Sequence, residues 1–185
     1  WDFVELDLSY EMCANSHYSK VVCADICDLP FQDNSFDSII SSSSFQWVED
    51  VQSAFREIKR VLKPNGRILI ATFGKDTLFE LRQCFAELDD YQHVNSFRGN
   101  LEYMLTMQEV GLQSVEIKTK TLKYSYADVF ELMRSIKNIG ASYTSGNKFL
   151  GREYFYKLDK LYKNKFSSKQ GVEATWEVVY LTATK

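Results

Sequence analysis

Glycine is missing from the first 65 residues of this 185-residue chain, and the earliest of its eight glycines is Gly66. Nothing ahead of that position can form a glycine-rich loop in which backbone closely approaches a ligand. Histidine is as scarce, with two in the chain, and Cys13, Cys23, Cys27 and Cys84 include no Cys-x-x-Cys pair. No metal site is therefore expected, and the four thiols read as free. No apolar run approaches the ~20 residues needed to span a bilayer. No charged-then-apolar leader opens the chain, so the expectation is a cytoplasmic protein without a membrane partner. A formal net charge of −3 gives no electrostatic ground for nucleic acid as a partner.

What is present describes a globular domain. Hydrophobic residues make up 45% of the chain and aromatic residues 15%, enough for a sizeable core. The first half alternates short apolar runs with helical patterns. Strands are expected at Phe3 to Leu6, Val21 to Ala24, Phe36 to Ile40 and Arg67 to Phe73, each bounded by Asp, Asn, Ser or Gly. Their continuous apolar character suits a parallel sheet covered on both faces. Between the last two, Val51, Ala54, Phe55, Ile58, Val61 and Leu62 follow the spacing of an amphipathic helix, and Pro64-Asn65-Gly66 turns the chain into the next strand. Strand, helix, turn and strand make a βαβ unit, so the fold class is α/β. Further on, helices are expected over "DTLFELRQCFAEL", over "LEYMLTMQEV" up to Gly111, and over "REYFYKLDKLYKNKF". Another begins at the Ser-x-x-Asp of "SYADVFELMRSIKNIGA" and ends at Gly140. "VEIKTKTLKY" and "TWEVVYLTATK" read as strands.

Ligands in open α/β sheets bind beyond the carboxyl ends of the strands. Asp7 ends the first strand, Asp25 the second, and the serines of "SSSSFQW" the third. An acid at one strand tip can accept from both ribose hydroxyls of a nucleoside. An acid at the next can accept from an adenine amino group, with the Ile26 N–H free to donate. Singly, each acid is more often a cap or turn residue; their joint placement is what suggests a nucleoside site.

These residues carry a resemblance. "ELDLSYEM", "ADICDLPFQDNSFDSI" and "AFREIKRVLKPNGRILI" resemble the class I S-adenosylmethionine-dependent methyltransferases, with four motif blocks in the family's order over the first seventy residues. "FQWVEDVQSAFREIKRVLKPNG", "HVNSF" and "LMRSIKNIGA" resemble more closely the malonyl-acyl-carrier-protein O-methyltransferases of biotin synthesis, the BioC family. The resemblance implies a Rossmann-like, mostly parallel sheet. It implies a single methyltransferase domain over residues 1–185, with helical segments at 74–114 and 123–170 forming the substrate side. It implies S-adenosyl-L-methionine as cofactor, with Asp7 on the ribose and Met12 and Leu8 beside the adenosine. Asp25 and Ile26 would contact adenine, and Ser42 and Ser43 the methionine moiety, with Trp47 either there or in the core. The family's G-x-G-x-G loop and the central strand that carries it are absent, so the domain is expected to be N-terminally incomplete. A sheet lacking a central strand would leave rows of backbone groups unpaired.

The implied reaction is methyl transfer to the free carboxylate of malonyl-acyl carrier protein. That group is ionised at neutral pH and needs no general base, in keeping with the lack of any Ser-His-Asp or Cys-His arrangement. A bidentate Arg suits carboxylate recognition. The resemblance assigns this to Arg134, with Lys137 three residues on, against the plain alternative of a solvated helix face. His93 matches a family position, though a lone loop histidine is more often structural. Lys148, Arg152, Lys157, Lys160, Lys163 and Lys165 would offer an acidic carrier protein a basic face, or serve only solubility. A monomer is expected. The alternatives are a related methyltransferase acting on another small acid or quinone precursor, and a non-methylating assembly factor on the same fold, such as the arginine hydroxylase that helps assemble respiratory complex I.

Overall fold

The computed structural model describes residues 2–138 and 151–185. Trp1, the Gly140 helix end and Lys148 lie outside the described residues. The elements, in chain order, are β1 (Glu5–Asp7), α1 (Tyr10–Ala14), β2 (Val21–Cys23), β3 (Phe36–Ser42), α2 (Val51–Val61) and β4 (Leu62–Phe73). There follow α3 (Phe79–Ala86), α4 (Asn100–Glu109), β5 (Gln113–Tyr126), α5 (Val129–Asn138), α6 (Arg152–Phe166), β6 (Ser167–Ser168) and β7 (Gly171–Thr184). β1 and β2 form a two-stranded sheet; the larger sheet runs β3-β4-β7-β5, with β6 on β7. Two compact units result: Trp1–Thr72 with Asn100–Lys118 and Tyr180–Lys185, and Phe73–Gly99 with Thr119–Val179.

In the first unit, Glu5, Leu6 and Asp7 pair in parallel with Val21, Val22 and Cys23. β3 pairs in parallel with β4, with Ser42 opposite Ala71. The sheet expected to be continuous is thus divided, since no ladder joins β1 or β2 to β3 among the described residues. β3 extends past Ile40 to Ser42, so two of the expected tip serines lie within the strand. Nor is it covered on both faces: Ile40 is 67% exposed, so the face on which it stands is open. The expected turn at Pro64-Asn65-Gly66 becomes a bulge in β4, where Asn65 takes φ 63° and the register with β3 slips. α2 buries Val51, Ala54, Phe55, Ile58 and Val61, the expected stripe, and Asp50 caps it through the Ser53 N–H at 3.0 Å.

The second unit is built around aromatic packing. α5 buries Val129, Leu132 and Ile136 against Leu158 and Tyr162 of α6 and Trp176 of β7, together with Leu81 and Phe85 of α3. Tyr162 is fully buried and satisfies its hydroxyl on Glu173 O at 2.7 Å. α5 is capped by Asp128, which accepts from the Glu131 N–H at 2.8 Å while Glu131 accepts from the Ala127 N–H. That reciprocal box sits three residues beyond the Ser125 start expected from sequence. α3 starts at Phe79 rather than Asp76, because Leu78 adopts φ 56° and Asp76 donates its N–H to Glu177 instead of entering the helix. Gly171 takes φ 124°, and a Cβ there would meet Tyr126 O at 2.1 Å, so the β6–β7 hairpin requires glycine.

Candidate functional site

Register brings the two strand-end acids together. Asp7 lies opposite Cys23, and the Ala24 N–H donates to Asp7 O at 3.1 Å, which places Asp25 one residue beyond the ladder. Each acid uses one oxygen to shape its own turn. Asp7 Oδ1 accepts from the Ser9 N–H at 2.8 Å, and Asp25 Oδ1 accepts from the Cys27 N–H at 2.8 Å. Ser9 in turn caps α1, accepting from the Met12 N–H. The second oxygen of Asp7 has no hydrogen bond among the described residues, whereas the Asp25 carboxylate also has the Cys27 thiol beside it.

The surroundings suit a nucleoside. Leu8 and Met12 are 70% and 61% exposed, offering apolar area beside Asp7. Ile26 is half-buried after Asp25. Trp47 is 41% exposed, and the core position in its turn is taken by Phe45, which packs on Phe55 at a ring distance of 5.0 Å. Trp47 is therefore a surface side chain rather than core. At the tip of β3, Ser43 adopts φ 55° and donates its N–H to Ala71 O at 2.9 Å, and Gln46 Nε2 donates to Ser43 O at 2.7 Å. Gln46 also accepts from Thr72 Oγ1, so this residue fixes the non-glycine left-handed turn from both sides. Ser42 and Ser43 are exposed there.

A clamp that sequence reasoning missed holds the second acid's loop. Arg60 donates to Leu29 O and Phe31 O at 2.8 and 2.7 Å, and to Asp33 and Glu57. Glu57 accepts the Leu29 N–H at 2.9 Å. The Arg60 guanidinium, bonded to Glu57, holds that carboxyl below its ordinary value. The signal was in plain view: Glu57 and Arg60 are i and i+3 on a helix, but nothing local says that they reach across 31 residues.

Arg134 and Lys137 lie in the second unit, on the solvent face of α5, opposite its buried Leu132 and Ile136. Neither has a hydrogen bond or ion pair among the described residues, so both cations are uncommitted. The lysine-rich α6 is different. Lys157 pairs with Glu153, Lys163 with Asp159 and Lys165 with Glu87, which leaves Arg152 and Lys160 as its unpaired cations among the described residues. His93 is largely enclosed: it bonds Asp89 at 2.8 Å, stacks on Phe85 at 4.4 Å and touches the Tyr154 hydroxyl at 3.3 Å. Burial pushes the Asp89 carboxyl up, and the Tyr91 amide and His93 more than offset it. Asp89 and His93 line a cavity of about 280 Å³ with Arg82 and Tyr91. Tyr154, 61 residues from His93, gave no sequence signal of this contact.

Residues 1–70 match the family described as a methyltransferase domain. The crystal structure of the YcgJ protein from Bacillus subtilis superposes with a TM-score of 0.66 at 16% identity, over 98% of this chain and 81% of that one. The match to a methyltransferase domain is thus confined to the first 70 residues, and the likeness to that crystal structure is one of fold. It is 34% identical to the malonyl-[acyl-carrier protein] O-methyltransferase of Halorhodospira halophila, over 87% of this chain and 56% of that one. It is also 28% identical to the human mitochondrial arginine-hydroxylase NDUFAF5, over 99% of this chain and 57% of that one. The chain therefore spans little more than half the length of either relative. No helix among the described residues is long and apolar enough to cross a membrane, and no group of side chains among them could hold a metal.

Proposed function

We propose that the protein transfers a methyl group from S-adenosyl-L-methionine to the free carboxylate of malonyl-acyl carrier protein, an early step in biotin synthesis. The observation that carries this reading is the pair of acids on adjoining strand ends, each oriented by a backbone N–H of its own turn. Asp7 would take the ribose hydroxyls and Asp25, with the Ile26 N–H, the adenine edge. Leu8, Met12 and Trp47 would cover the nucleoside with apolar surface, and Ser42 and Ser43 would face the methionine portion. When bound, the cofactor supplies an electrophilic methyl group on a sulfonium. The protein's own task is alignment and exclusion of water. The malonyl carboxylate is already ionised, so no base is required, and fixed alignment alone can supply ~7–11 kcal/mol of the barrier. Arg134, uncommitted on α5, would hold that carboxylate in a two-pronged grip, with Lys137 adding charge. Carrier-protein docking through α6 would rest on Arg152 and Lys160, since the other described cations are internally neutralised.

The test is intact-mass spectrometry of malonyl-acyl carrier protein incubated with the full-length protein and S-adenosylmethionine. Gain of one methyl, lost in Asp7→Ala, supports both cofactor and substrate. Binding of S-adenosylhomocysteine without methylation would keep the cofactor and move the acceptor elsewhere. A second reading is favoured by the likeness to the arginine-hydroxylase over almost the whole chain. On it the fold serves a non-methylating role, and neither methylation nor S-adenosylhomocysteine binding would be seen.

A further inference from the structure

Three of the four cysteines border the strand-end acids, and two of them bond to the same two-residue segment. Cys13 lies on α1, with Sγ 3.5 Å from Asp7 O and 3.7 Å from Val22 O. Cys23 ends β2 directly opposite Asp7 and donates to Leu8 O at 3.5 Å. Both thiols thus grip consecutive carbonyls of the Asp7–Leu8 segment, and the Cys13 sulfur also reaches the carbonyl of Val22, the residue next to Cys23. Their environments differ. Cys23 is exposed, whereas Cys13 is half-buried and burial pushes its thiol up. Burial also pushes Cys27 up to about 11, with Asp25 adding to the shift, and Cys84 up to about 11 inside the second unit. An exposed thiol beside a sheltered partner is the arrangement of an exchange site with its resolving thiol.

We propose that Cys23 and Cys13 form a reversible disulfide, made by exchange with a low-molecular-weight disulfide such as oxidised glutathione, that loosens the nucleoside site. The Cys23 thiolate attacks one sulfur of the small disulfide, whose S–S bond breaks and expels one small thiolate. Cys13, giving up its proton to solvent, then attacks the Cys23 sulfur of the mixed disulfide, forming the Cys13–Cys23 bond and releasing the second thiolate. Two electrons pass from the protein pair to the small disulfide, and the two protein protons end on the two released thiols. The consequence follows from the contacts: neither S–H remains to donate to Asp7 O or Leu8 O, and α1 is drawn onto β2 beneath the acid that orients on Ser9. Losing two weak hydrogen bonds at the strand tip predicts S-adenosylhomocysteine binding about fivefold weaker in the oxidised protein.

This effect on binding rests on the cofactor reading above; the bond itself does not. The experiment treats the full-length protein with oxidised glutathione, maps disulfides by peptide mass, and titrates S-adenosylhomocysteine by calorimetry before and after, then again after dithiothreitol. The expected result is a Cys13–Cys23 linked peptide, weaker binding, and recovery on reduction. Cys23→Ser, whose hydroxyl can still donate to Leu8 O, should show the same affinity before and after the oxidant, whatever its starting value. Glutathione adducts on Cys23 without a linked peptide would overturn the pair, and a linked peptide with unchanged affinity would overturn its effect on the site. If the reduced protein fails to bind S-adenosylhomocysteine, the cofactor reading falls and the control of binding falls with it, while the peptide map still decides the disulfide.

Discussion

Between Asp2 and Asp28 no side chain is buried, and β1, α1 and β2 are held by a short ladder, turn-capping acids and thiols bonded to backbone carbonyls. The core of the second unit is the reverse, with Leu132, Leu158 and Tyr162 fully enclosed and three helices packed on one strand. The first region therefore draws its shape from directional polar bonds of about 1 kcal/mol each, the second from apolar area removed from water. The residues proposed to meet a nucleoside fall almost entirely in the first kind of structure. A surface that must receive a ligand cannot also bury itself, and the acids there are oriented by backbone N–H groups instead of by packing.

Substitutions can break this comparison. The largest effect is expected in the first unit's own packed part, at Phe55. Phe55→Ala removes a ring with no exposed area and should cost about 3–5 kcal/mol in urea unfolding. Leu6→Ala, in the half-buried β1, should cost less than half as much. Next is Asp7→Ala: the loss of charged hydrogen bonds predicts roughly 100-fold weaker S-adenosylhomocysteine binding by calorimetry, with the melting temperature little changed. A matching loss of stability would mean that the acid serves the fold instead. Arg134→Ala should lower kcat/KM for malonyl-acyl carrier protein by about 10- to 100-fold and leave cofactor affinity intact. Undiminished turnover would remove Arg134 from the site.

The smallest expected effect concerns pH. Glu57 is held below its ordinary value of 4.5 by its hydrogen bond with Arg60. A depressed carboxyl contributes stability that is present above 4.5 and is lost as pH falls through its lower folded value. Chemical-denaturant titrations from pH 6 down to pH 3 should therefore show a steeper loss in the native protein than in Glu57→Gln. Parallel curves would show that the clamp adds nothing to the linkage.

Much of the scaffold was legible because its signals are local. The stripe on α2 and the full span of α6 follow from spacing, and Asp7 and Asp25 declare themselves by ending apolar runs. Where the reading failed, a distant partner decided. Asp76 looked like a helix start until Glu177 claimed its N–H, and Ser125 looked like a cap although Asp128 and Glu131 form the box. β3 reads as a buried strand because its composition suits one, yet nothing among the described residues covers the face on which Ile40 stands. The lysines of α6 suggested a basic face, and three carboxylates, one of them on Glu87, cancel half of it.

The segment from Gly74 to Glu80 is fastened to Thr175 and Glu177 by a run of hydrogen bonds: Gly74 N–H and the Thr77 hydroxyl to Glu177 O, Leu78 N–H to Thr175 O, and the Thr175 N–H to Glu80. Those partners are made about 100 residues later, on the order of 5–20 s at ribosomal speed. During that interval the Glu80 carboxylate has no Thr175 to receive it, and the turn leading into α3 has nothing to close on. The second unit is thus a late structure in the life of each new chain, completed when β7 emerges, whereas α2 and the β3–β4 pairing, close in sequence, can settle while synthesis continues.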